Sequence, residues 1–416
     1  MHHIPTRTLL PVILAATLVF GLSQGRAEEW TRFRGPNGTG ISSTQGIPST
    51  WQSDAVQFRA KLPGSGLSSP VAWKDRVYVT SADVEMGCRH LVCLSLENGK
   101  QLWVRDEPFT VHKKHRQNTF ASATPTVDAA GVYTVWQSKT ESSLLAFGHD
   151  GSPRWKVPLG PFKGGHGPAA SPIVHEGVVY ICNDHEGPSF LLAVNAADGK
   201  VKWKVPRSGK RACYSTPCVF KRPGHGTEII FVHSYQGIWG VAAESGHKNW
   251  AIDVFGTFKQ RAIASPIISG DLVIGSSGFT TARKNIVAVR PGQKVYEVTE
   301  AFRVSQSVPH IPTPLIYREH MYLWADIGVV SCISMKTGKS IWRQRVGGKF
   351  FGSPICLDGR LFSIDSLGQV VVVAASPTYK LLGKTALGEA SRATPAVAGG
   401  KLLLRTDSQV IAVVAE

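Results

Sequence analysis

Apolar positions in this chain come in short runs, cut by Gly, Pro, Asn and Asp. Little recurs at the three-to-four spacing of a helix. One unit shows the pattern. Ser171 to Val174, Gly177 to Cys182, Phe190 to Asn195 and Lys200 to Val205 each read as a short strand, and we letter them A to D. Between C and D stands Asp198-Gly199, a pair suited to a tight hairpin because both residues tolerate positive φ.

Two markers repeat this unit. The first is a turn glycine four residues before an aromatic on strand D. It occurs at Gly99 and Trp103, Gly151 and Trp155, Gly199 and Trp203, Gly246 and Trp250, Gly338 and Trp342, and as Gly292 and Tyr296. The second is Ser or Thr, then Pro, then a short apolar run. It occurs at Ser69, Thr124, Ser171, Thr216, Ser265, Thr313, Ser353 and Thr394, with the prolines 40 to 55 residues apart. A proline at the first residue of a strand removes no ladder bond that matters. Four short antiparallel strands at this period predict an all-β propeller of eight four-stranded blades over residues 56–416.

The eighth blade supplies only Ala396 to Ala398, Lys401 to Thr406 and Gln409 to Val414. The stretch Gln57 to Pro63 resembles the strand-D stretch Arg154 to Pro158. Residues 56–62 are therefore expected to finish the last blade, with Phe58 in the Trp position. The closed ring leaves no large open edge; an open solenoid of the same units is the alternative. The strand-D aromatics read as packing between blades, against a stacking platform for bases or sugars. Blade seven, with Ser376 to Lys380 at its hairpin, has neither turn glycine nor Trp, and its outer strand is expected to be the least regular.

Composition adds an address. Arg7, the apolar run Leu9 to Leu22 and the small residues Gly25 and Ala27 predict a signal peptide over residues 1–27, with an N-terminal anchor as the alternative. Residues 28–55 read as an ordered arm. The expected product is exported, periplasmic or extracellular, monomeric and without a membrane span in its mature part. The whole chain carries a formal net charge of +17 and the mature part +15. Outside the cytoplasm that charge points away from nucleic acid and toward an anionic polysaccharide or surface, or a protein partner. A merely solvated basic surface is the alternative. The seven cysteines leave at least one thiol unpaired; Cys88 with Cys93 and Cys213 with Cys218 could form bridges, although a large core does not need them.

The repeat Ala-x-x-x-x-[Asp/Asn/Ser/Thr]-Gly-Lys-x-x-Trp, best seen from Ala193 to Trp203 and close from Leu94 to Trp103 and Ile333 to Trp342, resembles the blade motif of pyrroloquinoline quinone (PQQ)-type propellers. The opening Trp30 to Gly38 looks like the start of secreted bacterial, planctomycete-type members. That resemblance implies a fold shared by quinoprotein alcohol dehydrogenases and by an outer-membrane assembly lipoprotein, so it specifies architecture more than chemistry. The quinoprotein alternative implies PQQ with Ca²⁺, yet the chain has no adjacent cysteine pair and no haem motif.

Strand direction alternates within a blade, so the D-to-A links and the B-to-C loops share one face. The D-to-A links carry His115, Arg116, Asn118, His166, Arg211, Arg261, His310 and Arg392. The B-to-C loops carry Asp184, Asp326, Asp365 and Asp407. Residues just before each Ser/Thr-Pro approach the axis, so cations from several blades could converge on one central funnel. A ring of Arg with some His suits a carboxylate or polyanion, because guanidinium donates in pairs. The competing reading pairs these side chains with the nearby acids. A metal set of His115, His166 and His310 with Asp184 lacks ligand spacing and is not expected. No nucleophile triad, Gly-x-Ser-x-Gly elbow or P-loop appears. The expected function is a non-catalytic binding or scaffolding module, with a PQQ- or metal-dependent oxidoreductase as the alternative.

Overall fold

The computed structural model describes residues 29–222, 224–256, 260–279 and 283–415, together with residue 2. The expected signal peptide lies outside the described residues, residue 2 apart, and so does Lys259. Eight four-stranded meanders form the ring, each hydrogen-bonded in chain order from the inside out except the last. Blade three runs Ile173–His175, Val178–Asn183, Ser189–Asn195 and Val201–Arg207, within two residues of the pattern read from the sequence. The described residues include the 3-10 turns Pro36–Gly38 and Ser53–Ala55 and contain no α-helix. None of them forms a helix long and apolar enough to cross a membrane.

Closure occurs as the sequence predicts. Val56–Lys61 is the outer strand of the last blade and pairs antiparallel with Gln409–Val414, Phe58 facing Ala412. Joining the ends gives every inner sheet a neighbour on both sides, so apolar faces on both sides of a blade are buried. The apolar clusters accordingly sit between blades, as with Val135, Leu144, Val179 and Leu192 between blades two and three.

The strand-D aromatics perform that joining. Trp103, Trp155, Trp203 and Trp342 each donate the indole N–H to a carbonyl on the next blade's C-to-D hairpin: His149, Ala196, Ala243 and Ser376, at 2.9 to 3.0 Å. For Trp103, Trp155 and Trp203 the turn glycine of that next hairpin lies under the ring, whereas Trp342 meets Tyr379 edge-on at 5.2 Å. A Cβ on Gly199 would stand 2.8 Å from Trp155, and its φ of 73° already disfavours a side chain. The fixed offset in the sequence is thus the footprint of one blade docking on the next. Trp250 departs from it. Its N–H donates to Glu228 at 2.7 Å, a buried carboxylate that also pairs with Arg222 at 3.1 Å.

Two expectations are corrected. Tyr296 is not the strand-D aromatic of blade five. It is 61% exposed in a turn at φ 64°, and Phe302, paired with Ala288, lies against Gly338 instead. The outer strand of blade seven, Leu381–Ala386, is as regular as its counterparts and shifts register at the same place. Its aromatic position holds Gly383, where a Cβ would lie 2.4 Å from Ser49 O and from the Thr50 methyl. The chain N-terminal to the ring fills that space.

That N-terminal segment reaches across the ring from blade one to blade eight. Trp30 bridges to Ala72, and the Val127 N–H donates to Thr31 O. Asn37 exchanges two 2.8 Å bonds with Val219, and Ile41–Ser42 adds a parallel strand to Ile355–Leu357. Trp51 and Ile47 are buried in the cluster that spans the closure. All seven cysteines are free. Cys88 and Cys93 lie five residues apart on one strand, Cys88–Ser95, so they face opposite sides of it and cannot bridge.

Candidate functional site

The innermost strands start at the Ser/Thr-Pro markers, and there hydroxyls link six of the eight neighbouring pairs of blades around the axis. The backbone N–H of Ser69 donates to Thr124 Oγ1, that of Thr124 to Ser171 Oγ, and that of Thr216 to Ser265 Oγ, at 3.0, 2.9 and 3.1 Å. Ser265 continues to Thr313, Thr313 to Ser353 and Ser353 to Thr394, at 3.0, 2.9 and 2.8 Å. Proline carries no N–H, so the residue before it offers the last donor before the strand, and the hydroxyl of the next blade takes it.

Above these bonds lies a cavity of about 390 Å³. Phe33 of the N-terminal segment, Tyr214, Phe279 and Phe351 give it aromatic walls. His115, Asn118, His166, Arg261, His310 and Arg392 also line it, so six of the predicted residues converge there from D-to-A links of different blades. The His115 and His166 rings stack 4.7 Å apart at 18°. Asn118 holds the His166 link by donating to His166 O at 2.8 Å and Pro168 O at 3.2 Å. Arg261 donates to Ala212 O at 3.1 Å. His310 meets Phe279 edge-on, and Arg392 stands 5.7 Å over Phe351.

The electrostatics are one-signed. No described residue lining the cavity carries a carboxylate. His166 Nδ1, His310 Nδ1, Tyr214 OH, Arg261 Nε and Arg392 Nε are buried with no hydrogen-bond partner in the protein. Burial, reinforced by Arg261, His115 and Arg211, lowers the His166 imidazole to about 4. Burial also lowers His310 to about 4; Lys284, Arg261 and His166 add to this, and Asp326 opposes it. Near neutrality the cavity therefore offers neutral imidazoles beside fixed guanidinium charge.

The other predicted residues lie elsewhere. Arg116 is exposed and lines a shallower hollow of about 820 Å³ with Lys113, Lys114, Lys139 and Lys163, against the single acid Glu186. Arg211 is exposed. Asp184 is buried in an ion pair with Arg207 at 3.0 Å. Asp326 accepts from the backbone N–H groups of His310 and Ile311 at 2.7 and 3.1 Å and from Lys284 at 3.3 Å. Asp365 accepts from the Leu367 and Gln369 N–H groups in its own turn. Asp407 is half-buried, and burial raises its carboxyl. Asp184 and Asp326 are thus paired, but with Arg207 and Lys284, neither of which lines the cavity. Asp184 pairs with Arg207 and is not among the residues that line the cavity with the three histidines.

The sequence gives no sign of Phe33, Tyr214, Phe279 or Phe351 as wall residues. The hydroxyl series was legible as a repeat of Ser/Thr before Pro, but not as a set of bonds.

The Ca²⁺ that accompanies PQQ in the quinoprotein reading takes hard oxygen ligands, carboxylates foremost. The cavity's donors are hydroxyls, imidazoles, guanidinium groups and amides, and Asp326, the acid bonded to the His310 N–H, is already occupied by two N–H groups and an ammonium. This lining does not fit a Ca²⁺–PQQ pair.

Comparison with known proteins places the fold. A family profile described as outer membrane protein assembly factor BamB matches residues 49–251, 116–317 and 282–416. BamB of Yersinia pestis is 20% identical over 224 residues, covering 52% of this chain; the chain spans about half, 54%, of that relative's length. Among solved structures, BamB from Moraxella catarrhalis superimposes with a TM-score of 0.60 at 12% identity, over 86% of this chain and 98% of its own. A europium-containing methanol dehydrogenase gives 0.64 at 11%, over 93% and 89%. A quinohemoprotein alcohol dehydrogenase from Comamonas testosteroni gives 0.68 at 10%, over 93% and 80%. At such identities the structural likeness establishes the eight-bladed fold and nothing finer. The profile spans the whole ring, and the chain belongs to the PQQ-repeat propeller family described by the outer membrane protein assembly factor BamB.

Proposed function

We propose that this chain is an exported, non-catalytic binding module that docks an acidic segment of a protein partner on the face bearing its D-to-A links. One observation carries the reading. Lys113, Lys114, Arg116, Lys139 and Lys163 surround one hollow with a single acid, and His115 joins that hollow to the cationic cavity on the axis. Like charges held together without counter-charges cost stability, and an acidic partner relieves that cost while being steered in by the field. Membership of the BamB family supports a protein partner over a small substrate. The lining's misfit to Ca²⁺–PQQ weighs against the oxidoreductase alternative.

A photo-crosslinker at Arg116 tests the proposal against one at Lys200, which lies in a C-to-D hairpin on the opposite face. Capture from native envelopes at Arg116 only, lost on Lys113→Glu with Lys163→Glu and at high salt, is the expected result. Equal capture at both positions, or capture indifferent to charge reversal, would overturn it. Competition by a free acidic polysaccharide at low concentration would reassign the surface to a glycan.

A further inference from the structure

Blade one holds a second cluster, apart from the axis. On its strand C, Cys88–Ser95, His90 stands directly opposite Asp106 of strand D, Gln101–Pro108. Side chains alternate along a strand, so Cys88, two residues before His90, shares its face. Arg89 points the other way and packs on Phe109 and Trp136. Strand pairing thus gathers three ligand types at one place. His90 Nδ1 lies 2.7 Å from Asp106 Oδ1 and 3.9 Å from Cys88 Sγ, and one ligand atom from each residue falls within 4.8 Å of the others.

The donor set selects the metal. Thiolate, imidazole and carboxylate together are the ligands of Zn²⁺, whereas Ca²⁺ and Mg²⁺ want oxygen alone. Zinc bonds of about 2.3 Å to sulfur and about 2.0 Å to nitrogen place those two atoms roughly 3.5 Å apart at a tetrahedral angle. The observed sulfur–nitrogen distance is close to that, and Asp106 has only to swing on an exposed side chain. The charge environment agrees. Asp83 pairs across the strands with Cys88, and Lys156 is taken by Glu107 at 2.6 Å. This corner is acidic in a strongly basic protein. The imidazole is buried, as a positioned ligand should be, and the carboxylate side is open to solvent. Cys88 is also the one half-buried cysteine, the other six being fully buried.

We propose that Cys88, His90 and Asp106 form a zinc site whose fourth position is open to water. Binding takes the proton from the Cys88 thiol and releases it to solvent, with no redox change. The site lies where strand D runs into the D-to-A link that carries His115 and Arg116, at the same end of blade one as the basic hollow.

The test uses the full exported chain, purified without a histidine tag and stripped of metal, with Co²⁺ as the probe. One equivalent of cobalt should give the visible bands of a tetrahedral site and a thiolate-to-cobalt charge-transfer band, and Zn²⁺ should bleach both. Cys88→Ser should erase the charge-transfer band. Asp106→Asn should weaken cobalt by roughly tenfold or more, the scale on which even outer partners of a ligand act. Both variants should keep the metal-free urea midpoint of the parent. No band in the parent at equimolar cobalt overturns the proposal. So does a charge-transfer band that survives Cys88→Ser, because another thiol would then be the ligand. If Cys88→Ser does not fold, an unchanged cobalt affinity in Asp106→Asn overturns it alone.

Discussion

The backbone N–H of Ser69 donates to the hydroxyl of Thr124 at 3.0 Å, across the boundary between blades one and two. Both residues precede a proline, and both are buried. The bond ties the start of one inner strand to the start of the next, and its repetition around the axis holds the rim of the cavity.

Thr124→Val should therefore destabilise the ring by about 1–3 kcal/mol, because it leaves the Ser69 N–H buried without an acceptor. Thr124→Ser keeps the oxygen and should cost clearly less. Urea unfolding of the two variants checks this, and equal losses would show that the methyl, not the hydroxyl, matters.

Trp203 docks blade three on blade four through its bond to Ala243 O and its contact with Gly246. Trp203→Ala should cost about 3–5 kcal/mol. Trp203→Phe keeps most of the packing and loses only the bond, so its thermal midpoint should fall between those of the parent and the alanine variant.

Gly383 leaves room for Ser49 and Thr50. Gly383→Ile should push the N-terminal segment off blade seven without opening the ring, since Phe58 still closes it. Limited proteolysis checks this: the variant should be cut near residues 44–52, with the propeller core left resistant.

His166 and His310 are both lowered to about 4 in the folded chain, chiefly by burial. The unfolded imidazoles protonate first, near 6.5, so the folded state loses stability as the pH falls from about 6.5 toward 4 and the loss levels off below. His115, Arg211, Arg261 and Lys284 face these rings and keep the charge unfavourable, while Asp326 alone favours it. An anion in the cavity reverses the balance. Sulfate, whose charge is constant over this window, should bind more tightly as the pH falls and should take up protons. Calorimetry in buffers of different ionisation enthalpy reads that uptake, and His166→Gln with His310→Gln should abolish it.

The propeller was legible because its markers are local. A glycine four residues before a Trp and a hydroxyl residue before a Pro state a turn and a strand start within a few residues, and their count states the number of blades. Phe58 could be placed in the last blade because its neighbours repeat a strand-D pattern. The same local rule misled at Tyr296, where the spacing is right but the chain takes a longer turn and Phe302 reaches the docking position. It also misled at blade seven, where residues more than three hundred positions away in the chain replace the missing aromatic.

The candidate site divides in the same way. Alternation and period are properties of neighbouring residues, so the chain alone established the blades, their closure and the face on which His115, His166, Arg261, His310 and Arg392 would gather. Which acids are spent on Arg207 and Lys284, which aromatics wall the cavity and which cysteine meets His90 and Asp106 depend on contacts between residues distant in the chain. Those contacts exist only once the ring has closed, because closure sets the radius at which the inner strands, and the side chains beside them, can touch.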